Sequence, residues 1–151
     1  VTRALSESGL PAESLHLEIT ESTLVEYTQP IADLLRTLQT TGVRIVIDDF
    51  GVGQSSLAYL RQFPVDIIKL DRSYVEGITD PEYVPALVDG LLELARKLEI
   101  TSLAEGIETN AQREALVREG CELGQGYLFA RPVDATTAAR MLSELGYAIT
   151  P

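Results

Sequence analysis

Tryptophan is absent from this 151-residue sequence, and cysteine, methionine and histidine occur once each, as Cys121, Met141 and His16. A lone cysteine cannot close an intrachain bridge, which excludes a disulfide-stapled scaffold and fits a reducing cytoplasm. His16 and Cys121 fall on different elements, so no histidine-paired nucleophile can be assembled from them. No run approaches the ~18–20 apolar residues of a membrane span, and no signal peptide is visible. Basic residues are few: 12 Lys and Arg against 23 Asp and Glu give a net charge of −11. Such a chain repels nucleic-acid backbones, which argues against direct DNA binding, and an anionic substrate would need bound cations beside it. An initiator methionine is lacking too, so Val1 reads as a cut inside a longer protein or as a processed end.

What is present is one ordinary globular domain's worth of chain, 45% hydrophobic and 23% charged, with 11 Gly and 7 Pro. Hydrophobic periodicity alternates between two and about 3.6 residues. A short amphipathic piece, Thr2 to Ser8, ends at Gly9 and leads into a strand, Leu15 to Ile19. Helical spacing follows through Ile31, Leu34, Leu35 and Leu38 to Gly42, then a β-branched strand from Val43 to Ile47 runs into Asp48-Asp49. After Gly51-Val52-Gly53 a short helix is expected over Ser55 to Arg61, and the next strand over Val65 to Leu70. Pro85 to Leu98 reads as a long amphipathic helix and Thr101 to Ala104 as a strand. Thr109 and Gln112 form a capping-box signature for a helix ending at Gly120. Tyr127 to Phe129 is expected as the last strand, and Asp134 as the cap of a final helix, Ala135 to Leu145.

Five successive strand–helix units imply a parallel sheet, doubly wound or closed into a barrel. Glu18, Asp48 with Asp49, Lys69 with Asp71, Glu105 and Gln125 all fall near C-terminal strand ends, where (β/α)8 barrels carry their chemistry. The first strand leads into Glu21-Ser22-Thr23, not into the glycine-rich phosphate turn of a nucleotide fold. The expected architecture is therefore an α/β barrel, incomplete, with about five of eight βα units present and the first three strands missing. The expected domain is a single partial one over residues 1–151.

Glu18, Asp48, Asp49 and Glu105 would bring four carboxylates to one rim. Oxygen-only ligands favour Mg²⁺ or Mn²⁺ over zinc, and adjacent aspartates suit two-metal phosphoryl transfer. Lys69 among them could orient a water or offset phosphate charge. The plain alternative is a solvated rim with incidental ion pairs.

Five motifs then point to one family. Leu17-Glu18-Ile19-Thr20-Glu21-Ser22, Asp48-Asp49-Phe50-Gly51, Ile68-Lys69-Leu70-Asp71-Arg72-Ser73, Ala104-Glu105-Gly106-Ile107-Glu108-Thr109 and Gly120-Cys121 followed by Gln125-Gly126-Tyr127-Leu128-Phe129 resemble the EAL domain. That family comprises bacterial phosphodiesterases that hydrolyse cyclic di-GMP to the linear dinucleotide pGpG. The resemblance implies metal ligation by Glu18, by a bridging Asp48 and by Asp49, and a water-holding role for Lys69. It makes Glu105 either general base or metal-shell residue, and gives Gln125 a hydrogen bond to metal-held water. Glu21 would steady the loop after Asp49, with Asp71 and Glu108 in supporting positions, and Arg131-Pro132 would meet guanine or phosphate or else cap the surface. Mg²⁺ or Mn²⁺ is the implied cofactor, and Ca²⁺, with its longer bonds, is expected to inhibit. Implied partners are cyclic di-GMP, a second copy in a homodimer, and upstream regulatory domains such as GGDEF or PAS, in a cytoplasmic domain whose parent could be membrane-tethered.

The strands that carry the family's Glu-Ala-Leu motif and its asparagine are expected to lie before Val1, so the fragment alone is expected to be inactive. In the loop that couples metal binding to dimerisation in the family, Val52 and Gln54 replace a threonine and a tyrosine. His16, on the face of Glu18, is expected to be a core histidine, Cys121 a small buried hydrophobe, Ser55 and Ser56 helix caps, and Tyr127 and Phe129 barrel packing. A degenerate EAL domain that binds cyclic di-GMP or a partner without hydrolysing it is the competing reading. An enolase-like Mg²⁺ barrel lacks the expected general-base pattern.

Overall fold

The computed structural model describes residues 1–26, 28–52, 60 and 62–145. Five parallel strands lie side by side in chain order: β1 (His16–Thr20), β2 (Arg44–Phe50), β3 (Ile67–Leu70), β4 (Thr101–Ala104) and β5 (Leu123–Gly124). The helices between and around them are α1 (Thr2–Ser8), α2 (Glu21–Glu26), α3 (Thr28–Gln39), α4 (Arg72–Glu76), α5 (Ala86–Lys97), α6 (Asn110–Arg118) and α7 (Ala135–Glu144). This is the βα alternation of a barrel wall.

Parallel strands are covered on both faces and so read as continuous apolar runs. Ile45, Val46 and Ile47 of β2 and all four residues of β3 are buried. On α5, Val88, Leu91, Leu92 and Ala95 face the core, whereas Leu87 is exposed. Leu34 of α3 is likewise exposed beside the buried Leu35. The capping box forms as the spacing requires: Thr109 accepts from the Gln112 amide, and Gln112 Oε1 accepts from the Thr109 amide. Asp134 caps α7 through the Thr137 amide.

Register decides which side chains share a face. The pairs Glu18–Val46, Thr20–Asp48, Val46–Ile67 and Lys69–Leu103 put Glu18, Asp48 and Lys69 on one side of the sheet. Ile45, Ile47, Ile68, Leu70 and Ala104 belong to the core on the other. Between Ile47–Ile68 and Phe50–Leu70, β2 uses three steps where β3 uses two, a bulge of one residue. The bulge contains Asp48 and Asp49, the latter at φ 53°. It returns Phe50 to the core after two consecutive aspartates, which an uninterrupted period of two would not do.

Three expectations fail. Tyr127 to Phe129 is not a strand; the fifth strand is Leu123–Gly124, and residues 126–130 form a turn over Ile107. The Gln125 amide donates to the Ala104 carbonyl and the Ile107 amide to the Gln125 carbonyl, so pairing is complete before the aromatics begin. Tyr127 and Phe129 are accordingly half exposed rather than packed inside the barrel. A side chain at Gly126 would overlap the Ile107 backbone, which is why the chain can turn there only with glycine. His16 is exposed, not buried, because β1 is the edge strand among the described residues. The expected helix over Ser55 to Arg61, with its Ser55 and Ser56 caps and Gln54, lies outside the described residues except for Leu60. No helix among the described residues is long and apolar enough to cross a membrane.

Candidate active site

The C-terminal ends of four neighbouring strands meet at one ammonium. Lys69 Nζ lies 3.0 Å from Glu18 Oε2, 2.9 Å from Asp48 Oδ1 and 2.7 Å from Glu105 Oε1. Its side chain is 7% exposed. Burial alone would lower the lysine's pKa, but the contacts with Glu105, Asp48 and Glu18 outweigh it, and the value lies well above that of an ordinary lysine. Lys69 is a fixed positive charge at any working pH. Gln125 extends the set, its Nε2 donating to Glu105 Oε1 at 2.7 Å. The strand ends thus bring Glu18, Asp48, Lys69, Glu105 and Gln125 together, as the spacing predicts.

The donors are carboxylate oxygens, the ligand type of a hard divalent cation. Among the described residues, though, no group of three acidic, imidazole or thiol side chains stands ready around a metal position. The carboxylates converge on Lys69 instead. The chemistry of the donor set fits Mg²⁺ or Mn²⁺, and those same oxygens would have to turn from the ammonium to hold one. Asp49 follows at the bulge, its amide donating to Asp48 Oδ1 at 3.1 Å.

Behind the aspartates the turn is held from both sides. The buried Glu21, first residue of α2, accepts the Gly51 amide through Oε2 at 2.9 Å. Its other oxygen is buried without a hydrogen-bond partner among the described residues. Asp71 caps α4, accepting the Ser73 amide at 2.9 Å, and those contacts with Ser73 hold its carboxyl below the usual range. Three residues on, the Tyr74 hydroxyl donates to the Gly51 carbonyl.

Beside Glu105 and Gln125 opens a cavity of about 480 Å³, lined also by Arg72, Glu108, Tyr127, Arg131 and Pro132. Arg131 lies over the Tyr127 ring, 4.4 Å from its centroid. Arg72 pairs with Glu108 at 3.1 Å and with Glu76. Gly106, at φ 70°, leaves space for Arg72, whose Cγ would be 2.5 Å from any Cβ there.

The EAL domain family model matches residues 1–132. The chain belongs to the EAL domain family. It is 39% identical over its whole length to the cyclic di-GMP phosphodiesterase NbdA of Pseudomonas aeruginosa, of which it covers 19%. Among solved structures it resembles the PaMucR phosphodiesterase in complex with c-di-GMP, at TM-score 0.83 and 40% identity, covering 91% of this chain and 56% of that one. It also resembles a manganese and c-di-GMP complex of BlrP1 from Klebsiella pneumoniae, at TM-score 0.77 and 33% identity, over 86% of this chain and 33% of that one. The EAL chain described here therefore spans about a fifth of that curated relative and about half of the PaMucR chain. Its α/β sheet is part of the barrel-like fold of those structures.

Sequence reasoning did not find Tyr74 or Arg72. Arg72 stands inside the Ile68–Ser73 motif, but its pairing with Glu108 beside Gly106 is a tertiary contact without a local signal. Nothing in the pattern signals that the Tyr74 hydroxyl reaches Gly51.

Proposed function

We propose that the complete domain containing this chain hydrolyses one phosphodiester bond of cyclic di-GMP, giving linear pGpG, with Mg²⁺ or Mn²⁺. The observation that carries the reading is the Lys69 ammonium among Glu18, Asp48 and Glu105, in a chain of the EAL family. Glu18, Asp48 and Asp49 would hold the cations, which when bound supply positive charge against the phosphate and its leaving oxygen. Lys69 holds and orients the attacking water through its protons. Glu105, held by Gln125, would either complete the metal shell or take the water's proton as the oxygen adds to phosphorus and the 3′ P–O bond breaks. The proton balance closes on the departing ribose hydroxyl. Arg131 over Tyr127, together with Arg72 and Pro132, offers a cationic and aromatic wall for guanine.

The length of the relatives supports a setting among other domains, with dimerisation and Ca²⁺ inhibition as further expectations of the same reading. Residues 1–151 alone are expected to be inactive. The test is turnover of cyclic di-GMP by the full-length protein, wild type against Asp48→Asn, at saturating Mg²⁺ or Mn²⁺. Loss of turnover in the variant supports the reading, and wild-type rates in Asp48→Asn overturn the two-metal assignment. Binding of cyclic di-GMP by the wild type without any turnover would favour the non-hydrolytic receptor.

A further inference from the structure

We propose that Tyr74 is a positioning residue for this reaction: its hydroxyl, with Glu21 opposite, fixes the peptide of Gly51 and so the bulge that presents Asp48 and Asp49. The inference rests on the phosphodiesterase reading for its kinetic consequence. Its structural basis is separate.

Asp49 carries a positive φ of 53° and Gly51 one of 90°. Left-handed backbone at two positions within three residues is not self-sustaining, since a non-glycine residue there costs free energy that the surroundings must offset. The surroundings here are two grips on one glycine. Glu21 takes its amide and Tyr74 its carbonyl. Each grip comes from a neighbouring strand that also supplies a site residue: Glu21 follows the strand of Glu18, and Tyr74 follows that of Lys69. The turn carrying the aspartates is therefore tied to both flanking walls of the site.

Tyr74 is built for the donor role. It sits on a helix capped by Asp71, and its amide bonds to the Asp71 carbonyl, so the ring's starting point is fixed. Burial, and then the anions of Glu21 and Asp71, push its phenol above the usual value and keep the proton to be donated. The contact also explains Gly51, because any Cβ there would stand 2.8 Å from the Tyr74 hydroxyl oxygen and 3.3 Å from Leu91.

Tyr74→Phe in the full-length protein keeps the ring and removes only the hydroxyl. We expect kcat for cyclic di-GMP to fall about ten-fold with KM changed less than about two-fold, because misplacement acts on the transition state more than on binding. The midpoint for Mn²⁺ binding, read by electron paramagnetic resonance without substrate, should rise severalfold, while the thermal midpoint stays near the wild-type value. A second arm combines it with Gly51→Ala, whose added methyl meets the hydroxyl only when tyrosine is present. The two fold-losses should then multiply to more than the double variant shows. Unchanged kcat and Mn²⁺ midpoint in Tyr74→Phe, or fold-losses that multiply fully, overturn the proposal. A wild type that binds Mn²⁺ but does not hydrolyse cyclic di-GMP overturns the activity alone, and the Mn²⁺ comparison still decides Tyr74. A wild type that binds no Mn²⁺ overturns both.

Discussion

Two carboxylate networks sit at opposite ends of the same strands, and they are wired differently. At the N-terminal end Asp66, just before β3, is engaged on both oxygens. Its Oδ2 accepts the Ile45 amide at 2.8 Å and Gln39 Nε2 at 3.0 Å, and its Oδ1 faces Arg44 at 3.4 Å. Each bond ties β2, β3 or α3 to another, so this carboxylate locks register, and both of its oxygens are engaged within the fold. At the C-terminal end three carboxylates share one ammonium, so the local charge is −3 + 1 = −2. Just behind them, one oxygen of Glu21 is buried with no partner among the described residues. A fully partnered carboxylate is structural. A cluster whose negative charge exceeds its internal cations is poised for something positive from outside, at a cost in stability that the rest of the fold absorbs.

The comparison breaks most visibly if the rim turns out to be structural too. Lys69→Ala in the full-length protein should lower kcat for cyclic di-GMP by about 10²–10³-fold, the scale of losing one charged group aimed at the reacting atoms. KM should change much less. Steady-state kinetics checks this. Equal kcat with a raised KM would make Lys69 a plain phosphate clamp.

Asp66→Ala should do the reverse. It strands the Ile45 amide and the Gln39 amide nitrogen, each an unsatisfied donor in a part-buried place, and a lost partner of that kind costs about 1–3 kcal/mol. Urea unfolding should report that loss, while kcat of the folded variant stays within about two-fold of wild type. If Asp66→Ala removes activity without removing stability, the contrast between the two ends fails.

How much of this was legible beforehand follows the same division. The rim residues could be read because strand ends are announced by apolar runs stopping at charged residues: Ile47 at Asp48, Ile68 and Leu70 around Lys69, Ala104 at Glu105. Caps could be read because Thr109 with Gln112 and Asp134 act within three residues. The bulge at Asp49 could not, since a register shift is a property of two strands and only one is local in sequence. β5 was misplaced for a related reason. Tyr127, Leu128 and Phe129 have the composition of a strand, but pairing with β4 is already complete at Gln125, and the two residues Leu123–Gly124 carry no periodicity of their own. The short helices α2 and α4 went unread because five or six residues give barely one and a half turns of pattern. Tyr74, which depends on α4 and on the bulge at once, was beyond reach for both reasons.

The smallest expected effect separates two origins of a shifted proton affinity. Lys69 holds its proton because anions surround it, against the effect of burial. Cys121 holds its proton chiefly because burial disfavours the thiolate; its Sγ faces the Leu123 carbonyl at 3.4 Å and the Ser102 carbonyl at 3.9 Å. The thiol is thereby pushed above its ordinary value of about 9. A folded-state value above the unfolded one means that the folded chain keeps a proton the unfolded chain has already lost. The resulting stabilisation is full below pH 9 and disappears as pH rises through the folded value, so stability should slope downward above pH 9. Cys121→Ala should flatten that slope. Alkylation of folded wild type by iodoacetamide should be slower at pH 8 than that of the urea-unfolded chain, and should still be rising at pH 9.5, where an exposed thiol begins to level off. Equal rates for folded and unfolded chain at pH 8 would place Cys121 at an open surface and remove burial as the cause.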